Sequence, residues 1–387
     1  MTIYIIIFSL ILICSYIYDR HDSKTRHWCF IFIIIILSLV GGGRYRIGVD
    51  TIRYIRAFDN MPSLAEFSQL EWSDLSQPLW LLFNIMLKSI YDDFVIVQLV
   101  HSFLVNFLIG RFIYKTCKRP LLALLFYYCI CWWNFNFEIM RESLCVAIYL
   151  NLYYNYIRNN SIWMFVCGSF PLLFIHWFAF VPILLTLLIN VISKKLLIIG
   201  GICISIIIYF FIDESSSIQI LFNLVGVLSD ASIYRVGQYL VDDSSGYVDV
   251  SILGMMVIFF TNIMYPLCVA KSQCINDRIK KILFLYALIV FIRIKLIIVS
   301  RFLNYWDVIL IVYSINVVIE HNTGKIANLY LKSLLVYSLY IGVSTFYKPS
   351  PLEDRDNISY DCRYIPYSSY LDKTKDKNRE YLWSIVE

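Results

Sequence analysis

Long uninterrupted apolar runs alternate with short polar segments along most of the chain. Many runs hold roughly 17 to 20 residues, the length at which a helix crosses a hydrocarbon core of about 30 Å. Core helices of soluble proteins carry polar residues on one face, and outer-membrane barrels show alternating segments of about ten residues, so neither class fits. We therefore predict an all-α, polytopic integral membrane protein with about 12 transmembrane helices. The predicted spans are 2–18, 28–43, 94–114, 120–135, 138–157, 161–176, 177–193, 196–212, 251–270, 282–300, 302–320 and 332–347.

The composition agrees with this fold class. The 387 residues are 59% hydrophobic and 16% charged, with a mean hydropathy of +0.68, whereas a soluble domain carries about 25% charged residues. The first run, Thr2–Tyr18, lacks a basic leader and an Ala-x-Ala-like cleavage site. We interpret it as a retained span and not as a signal peptide.

The cysteines and the net charge exclude several other classes of function. The 11 cysteines form no CxxC pair and no Cys/His cluster with metal spacing. We interpret them as small buried side chains and predict no disulfide, no metal and no cofactor. The net charge of +5 is modest and comes from loops that flank the membrane, so no nucleic-acid partner is expected.

Three long polar stretches interrupt the apolar runs, at 44–77, at 213–250 and from 348 onwards. No internal repeat and no low-complexity linker occurs, so we predict one transmembrane domain over 1–347 and a polar tail over 348–387. The outer loops of this domain are placed at 44–93 and 213–250. Apolar residues in the second loop recur at helical spacing and predict an amphipathic helix on the outer membrane surface. These residues are Ile218, Leu221, Phe222, Val225 and Leu228.

Lysine and arginine in the short loops set the expected orientation, because positive charge is retained on the cytoplasmic side. The basic loops lie at 19–27, 115–119, 194–195 and 271–281, whereas loop 213–250 is acidic. This assignment places both termini and all three polar stretches outside. It requires an even number of crossings.

The apolar segment Pro78–Tyr91 complicates this topology, because it is short and carries Asn84 and Lys88. We interpret it as a re-entrant or interfacial segment. The alternative is a full crossing, which would reverse the sidedness of everything before or after it.

Ionisable residues collect at the outer ends of the predicted spans, where lysine and arginine are normally sparse. A bound anion would explain the excess of cations, and arginine suits phosphate because its planar fork donates two aligned hydrogen bonds. Structural roles are the alternatives: Arg141 would pair with Glu138 or Glu142, Arg301 with Asp307, and His176 would be a packing residue. The set consists of Arg44, Arg46, Asp50, Arg141, Glu142, His176, Arg235 and Arg301.

Six short sequence elements, which occur here in the same order as in the family, resemble the EpsG-type branch of the Wzy-like bacterial polysaccharide polymerases. This group includes O-antigen polymerases. The family's Arg…Gly-Thr-Asp…Tyr element appears with Val49 in place of threonine. Gln77 replaces glutamate in a Glu-Pro-like element, and Glu142 replaces glutamine after the Asn-x-x-Arg arginine. The matching residues are Arg44, Gly48, Asp50 and Tyr54, then Gln77–Pro78, Arg141, Ile175–His176 (followed by Trp177), Arg301 with Tyr305, and Pro366–Tyr367. The resemblance covers about residues 40 to 370.

The resemblance implies glycosyl transfer between undecaprenyl-diphosphate-linked oligosaccharide repeat units at the outer, periplasmic face of a bacterial inner (plasma) membrane. It implies cations that stabilise the departing diphosphate and a base that removes a proton from the acceptor hydroxyl. We expect Arg141 and a base, either His176 or Asp50, to be catalytic. Diphosphate binding is expected from Arg44, Arg46, Arg235, Arg301, Tyr54 and Tyr305.

By analogy with members of this family we expect an O-antigen or lipopolysaccharide product, with capsule and exopolysaccharide as the alternatives. We also expect protein partners, namely a flippase and a chain-length regulator. A lipid-diphosphate donor needs no nucleotide pocket, so we expect a metal-independent glycosyltransferase. The chain's Asp-x-Asp pair, Asp354 and Asp356, lies in a charged segment and is interpreted as a solvated turn.

Three other classes remain as alternatives. A lipid-linked oligosaccharide flippase would show two related halves and charges near mid-span. An O-antigen ligase would share the architecture but carry a very large outer loop with a histidine, and loop 213–250 has none. A purely structural membrane protein would leave the outer arginines unexplained.

Overall fold

The computed structural model describes residues 1–20, 23–64, 77–211, 259–293, 299–320 and 360–386, with a few isolated positions between them. Within these ranges every regular element is a helix. Arg44 and Ser369 form an isolated antiparallel β-bridge. The all-α prediction is confirmed for this part of the chain. Loop 213–250, its predicted amphipathic helix, Arg235 and the Asp354–Asp356 pair lie outside it.

Most predicted spans coincide with observed helices to within a few residues. The first nine helices are α1 Thr2–Tyr18, α2 Lys24–Gly42, α3 Thr51–Asp59, α4 Pro78–Ile90, α5 Val95–Thr116, α6 Pro120–Tyr127, α7 Met140–Asn159, α8 Ile162–Ser169 and α9 Phe180–Val191. They are followed by α10 Lys194–Phe211, α11 Tyr265–Ala270, α12 Asp277–Ile292, α13 Ser300–Glu320 and α14 Lys377–Val386. Wide π-helical turns over Tyr128–Trp132 and Asn134–Glu138 carry the chain from α6 to α7.

The number of membrane crossings is confirmed only in part. Among the described residues, three helices are long and apolar enough to span a bilayer: α2, α5 and α13. Several shorter apolar helices accompany them, which agrees with a polytopic membrane protein, but they do not establish twelve spans. Most of the predicted span 332–347 lies outside the described residues.

The predicted span 282–300 is shifted, because α12 runs from Asp277 to Ile292, and the predicted spans 161–176 and 177–193 are interrupted where they meet. α8 ends at Ser169 and gives way to a 3-10 helix over Phe170–Phe174. Proline has no N–H and its ring clashes with the preceding turn, so Pro171 ends the α-helix there. A second short 3-10 helix, Trp177–Ala179, precedes α9. His176 lies in extended backbone (φ −153°, ψ 105°) in the break between the two 3-10 helices.

The described chain divides into two compact units, Met1–Leu184 with Asp307–Glu387, and Leu185–Trp306. The prediction of one transmembrane domain over 1–347 stays a prediction. In the second unit the Lys281 ammonium donates to the carbonyls of Ile189 and Ile192 at 2.8 and 2.7 Å, which satisfies the C-terminal end of α9.

In the first unit α2 packs closely on α5, because glycines at the end of α2 leave room for the neighbouring backbone. A Cβ atom at Gly42 would lie 2.6 Å from Leu99 Cα, and one at Gly41 would lie 2.6 Å from Ser102 Oγ. The close approach gives buried polar side chains partners across helices. Ser102 and Asn106 of α5 both donate to the amide oxygen of Asn136, at 2.8 and 3.0 Å.

The two ends of the first unit differ in chemistry. At one end Asp19 accepts from the amides of Leu121 and Leu122 (3.2 and 2.8 Å), and Lys118 pairs with Glu320. The predicted basic loops 19–27 and 115–119 therefore lie together. At the other end the N-terminal part of α1 contacts the C-terminal segment, since the Tyr4 hydroxyl donates to the carbonyl of Tyr364 at 3.1 Å. The orientation of these two ends in a membrane stays a prediction.

Helix α4 is the segment interpreted as re-entrant or interfacial. Its 13 residues span about 20 Å, less than a hydrocarbon core of about 30 Å. The Lys88 ammonium near its end donates to the carbonyls of Phe58, Asp59 and Met61 at 2.9 to 3.2 Å. This geometry agrees with a segment that does not cross fully.

Much of the predicted polar tail packs against the loop that follows α2. Tyr45 N–H donates to the Ser368 carbonyl, and Tyr370 N–H donates to the Gly43 carbonyl, both at 2.8 Å. Gly48 N–H donates to the Arg363 carbonyl at 3.0 Å. Residues 360–386 are therefore part of the first unit and not a separate appendage.

Gly48 is the residue in this loop that requires glycine. Its φ is +103°, and a Cβ atom there would lie 2.5 Å from the carbonyl oxygen of Phe137. We expect Gly48→Ala to destabilise the protein by about 2 kcal/mol, because strain and a backbone clash add up. The midpoint of thermal unfolding in detergent measures this loss.

Gly200→Ala is the matched control, since a Cβ atom at Gly200 on α10 would meet no described atom within 4 Å. Its unfolding midpoint should stay at or above that of the unsubstituted protein, because alanine favours helix. Equal midpoints for the two variants would show that the Gly48 conformation is not strained.

Candidate active site

The first turn of α7 brings together residues from four of the six elements that resemble the polymerase family. The Arg141 guanidinium donates through Nη1 to the Gln77 side-chain oxygen at 2.8 Å. It also lies over the ring of Tyr54, 5.6 Å from the centroid. Among the described residues Arg141 forms no ion pair with Glu138 or Glu142, so the alternative of a local pair is wrong for this arginine.

Tyr54 is held in turn by aromatic neighbours. Its ring stacks on Phe94 with centroids 6.4 Å apart and meets Trp80 edge-on at 6.2 Å. Because Phe94 precedes α5 and Trp80 lies on α4, three elements fix the face on which Arg141 rests. A guanidinium held this way over a ring keeps donors in a set orientation.

His176 lies on the other side of the same helical turn. Its Nε2 is 3.8 Å from Glu142 Oε2, and both side chains are buried, at 8% and 3% exposure. The neighbouring residues Arg141 and Glu142 thus face different parts of the chain. One contacts Gln77 and Tyr54, while the other faces the imidazole.

Glu138 is the central hydrogen-bond acceptor of this end of the unit. One carboxylate oxygen accepts from the amides of Val49 and Asp50 at 2.9 and 3.2 Å, and the other accepts from the Tyr364 hydroxyl at 2.7 Å. It therefore joins the start of α3, the approach to α7 and the C-terminal segment. Sequence reasoning considered Glu138 only as a partner of Arg141, and a lone glutamate gave no signal for this role.

His101 is a second residue that sequence reasoning did not single out. It is fully buried on α5, and its Nε2 lies 2.7 Å from the Met140 carbonyl and 3.1 Å from Ser143 Oγ. The interaction fixes the first turn of α7 against α5. A histidine inside the predicted span 94–114 was the available signal.

Arg44 is fully buried and its guanidinium is engaged by the protein. It donates to the carbonyls of Ile47 (3.2 Å) and Gly41, and to Met140 Sδ at 3.6 Å. Burial lowers the pKa of Arg44 from its ordinary value to about 10, and the nearby Glu138 carboxylate opposes this shift. Arg44 therefore remains a cation at neutral pH. Direct contact of Arg44 with a diphosphate stays a prediction, and its observed contacts hold the loop against α7.

The C-terminal segment holds Arg46 and reaches the loop before α3. The guanidinium of Arg46 forms a bidentate pair with Glu380, with N···O distances of 2.6 and 2.5 Å. Arg379, which is 1% exposed, donates to the carbonyls of Cys362 (2.7 Å) and Pro366 (2.5 Å) and to that of Arg46 (3.4 Å). Arg46 thus has a structural partner that the sequence did not reveal.

The remaining predicted site residues have diverse positions. Asp50 precedes α3, where its carboxylate is 36% exposed and lies 3.9 Å from Arg53. Tyr367 donates through its hydroxyl to the Val40 carbonyl at 3.0 Å. Arg301 is half-buried and Tyr305 is buried at the start of α13; both belong to the second unit. Their predicted role stays a prediction.

Together these contacts place a cation, an aromatic face, a carboxylate–histidine pair and the positive end of the α7 dipole at one location. Such a location suits an anionic group, because oriented cations and a helix N-terminus both favour negative charge. Among the described residues, no group of three or more metal-ligating side chains occurs.

Comparison with known proteins gives a family. No curated protein and no solved structure matches the chain. The family model described as the EpsG family matches residues 27–369, which include every described element of the site except Arg379 and Glu380. The chain belongs to the EpsG family, a Wzy-like polysaccharide polymerase family.

Proposed function

We propose that this protein joins oligosaccharide repeat units carried on undecaprenyl diphosphate, at the outer face of the bacterial inner membrane. The growing glycan leaves its lipid diphosphate and is transferred to a hydroxyl of the incoming unit. The observation that carries the proposal is the arrangement of two consecutive residues of α7. Arg141 contacts Gln77 and Tyr54 and is available to bind an anion, whereas Glu142 lies beside His176, a candidate proton acceptor.

Arg141 is the arginine that we assign to the diphosphate. Its contacts with Gln77 and Tyr54 orient the guanidinium before substrate binds, so little reorganisation is needed as charge develops on the leaving group. Arg44 is a buried cation that donates to Met140 Sδ, at the residue before Arg141 in the chain, so it adds positive potential near this turn. Tyr54 holds Arg141, while Arg46, Arg235, Arg301 and Tyr305 remain proposed diphosphate contacts.

The base is His176 or Asp50 in this proposal. His176 is buried and faces a carboxylate, whereas Asp50 is partly exposed and lies near Arg53. Either group takes the proton of the acceptor hydroxyl as the oxygen attacks the anomeric carbon. We further propose an O-antigen or lipopolysaccharide product, with a flippase and a chain-length regulator as partners in the same membrane.

Glycan length in cells tests this function. Cells without the protein should carry single repeat units at the outer face, and cells complemented with the unsubstituted chain should show a ladder of polymers. An intact ladder without the protein would contradict the proposal. Repeat units trapped inside would instead identify a flippase, and full-length polymer left on its lipid carrier would identify a ligase.

We expect the transfer to need no divalent metal. A lipid-diphosphate donor needs no nucleotide pocket, and in this proposal Arg141 offers the cation that a metal would otherwise provide. Purified protein treated with EDTA should therefore keep its rate of glycan lengthening within about twofold, because arginine and not a metal would stabilise the departing diphosphate. The measurement is product length against time, with and without EDTA. Loss of lengthening that magnesium or manganese restores would show a metal-dependent reaction.

A further inference from the structure

Glu142 and His176 are buried titratable side chains that face each other beside Arg141. The distance between Glu142 Oε2 and His176 Nε2 is 3.8 Å. The backbone N–H of His176 donates to the Leu172 carbonyl at 2.9 Å. The imidazole ring lies against the ring of Phe178, with centroids 5.7 Å apart. The backbone break at His176 therefore points its ring at α7.

Among the described residues, the part of α7 that lies next to His176 carries three titratable groups, on Arg141, Glu142 and Cys145. Within the described chain, the 3-10 helix Phe170–Phe174 carries none. α7 brings Cys145, whose thiol lies 3.5 Å from the Leu172 carbonyl, and Arg141, whose guanidinium is directed to Gln77 and Tyr54. Glu142 is thus an anionic group that faces the imidazole directly.

A buried carboxylate is costly unless a positive charge faces it, and the same holds for a buried imidazolium. An ionised Glu142 therefore stabilises the imidazolium that forms when neutral His176 takes up a proton. We propose that Glu142 is a positioning residue that stabilises protonated His176, so that His176 and not Asp50 accepts the proton of the acceptor hydroxyl. This inference rests on the function proposed above.

The proton and electron balance of the step is complete without another reactant. The acceptor O–H bond breaks as an N–H bond forms on the imidazole. The oxygen forms a bond to the donor's anomeric carbon, whose bond to the lipid diphosphate breaks, and the diphosphate leaves with the bonding electrons. The imidazolium of His176 then gives its proton to water. Asp50 is the weaker alternative, because a partly exposed carboxylate beside an arginine is a poor base near pH 7.

Glu142→Gln tests the charge without changing the size of the side chain. Full-length protein in lipid discs is given repeat units on lipid diphosphate, isolated from cells that lack this protein, and kcat and KM are measured across pH. We expect the acid limb of the kcat profile to move to lower pH by about one unit, because the imidazolium loses its anionic neighbour. At the original optimum kcat should fall about tenfold, with KM little changed.

Glu142→Asp keeps the charge and should leave the acid limb within about half a unit of its original position. Glu320→Gln is the matched control, since Glu320 pairs with Lys118 at the opposite end of the first unit. It should change neither the limb nor kcat.

Two results would overturn the inference and leave the proposed function intact. One is an acid limb that stays in place in Glu142→Gln while the unsubstituted protein lengthens glycan. The other is a limb that moves as far in Glu142→Asp as in Glu142→Gln. If the unsubstituted protein does not lengthen glycan at any pH, the proposed function fails and this inference fails with it.

Discussion

Replacing Arg141 by alanine should reduce glycan lengthening at least about 100-fold, the scale at which one preorganised donor contributes to stabilising developing charge. The guanidinium is fixed by Gln77 at 2.8 Å and by the ring of Tyr54. Its loss removes a cation from the first turn of α7 and leaves Gln77 without this donor. Most of the effect should appear in kcat, because the charge develops in the transition state.

Two further variants separate charge and geometry from stability. Arg141→Lys keeps the charge but loses the planar fork, so it should retain an intermediate rate. Arg158→Ala, in the last turn of the same helix, should lengthen glycan normally. Each protein is first checked for its amount in the membrane. A rate for Arg141→Ala close to that of Arg158→Ala would remove Arg141 from the site.

Replacing Arg379 by alanine should destabilise the first unit by about 3 kcal/mol, since it leaves buried carbonyls without their donor. Arg379 is 1% exposed and donates to the carbonyls of Cys362, Pro366 and Arg46. Burial also lowers the pKa of Arg379 below its usual value. The midpoint of thermal unfolding in detergent should fall by several degrees.

Lys377→Ala is the control for this substitution, because Lys377 is exposed at the start of the same helix, α14. Its unfolding midpoint should stay within about one degree, as expected for an exposed substitution. If Arg379→Ala unfolds at the temperature of Lys377→Ala, the C-terminal segment does not hold the loop after α2. Residues 360–386 would then contribute little to the stability of the first unit.

Hydropathy predicted the helices well, because apolar runs such as Thr2–Tyr18 and the one around Val95–Thr116 are set by local composition. It placed the boundary between two spans at 176/177, but it did not predict the short 3-10 helices, Phe170–Phe174 and Trp177–Ala179, that flank His176. Pro171 could have indicated the end of an α-helix. Because the residues on both sides of it are apolar, hydropathy alone predicted a continuous span there.

The site could be predicted only as separate elements. Arg141, Gln77, Tyr54 and His176 were each named from the sequence, yet their grouping depends on contacts between residues far apart in the chain. Gln77 lies 64 positions before Arg141. Local pattern carries no information about such a contact, which depends on how the helices pack.

The partners of the two loop arginines could not be predicted from the sequence. Arg44 and Arg46 were expected to bind a diphosphate because of the resemblance to the polymerase family, and that role stays a prediction. The structure adds that backbone carbonyls and Met140 surround Arg44, and that Arg46 pairs with Glu380, 334 positions away. The role of Glu138 also depends on a distant partner, Tyr364.

The most direct test of the central claim is the length of glycan on a single lipid carrier. Purified protein in lipid discs is supplied with repeat units on undecaprenyl diphosphate, and the products are resolved by mass. We predict a series of glycans that differ by whole repeat units, all attached to the same lipid diphosphate, and no such series with Arg141→Ala. Products that carry one repeat unit only, or glycan moved to a different lipid, would contradict the account.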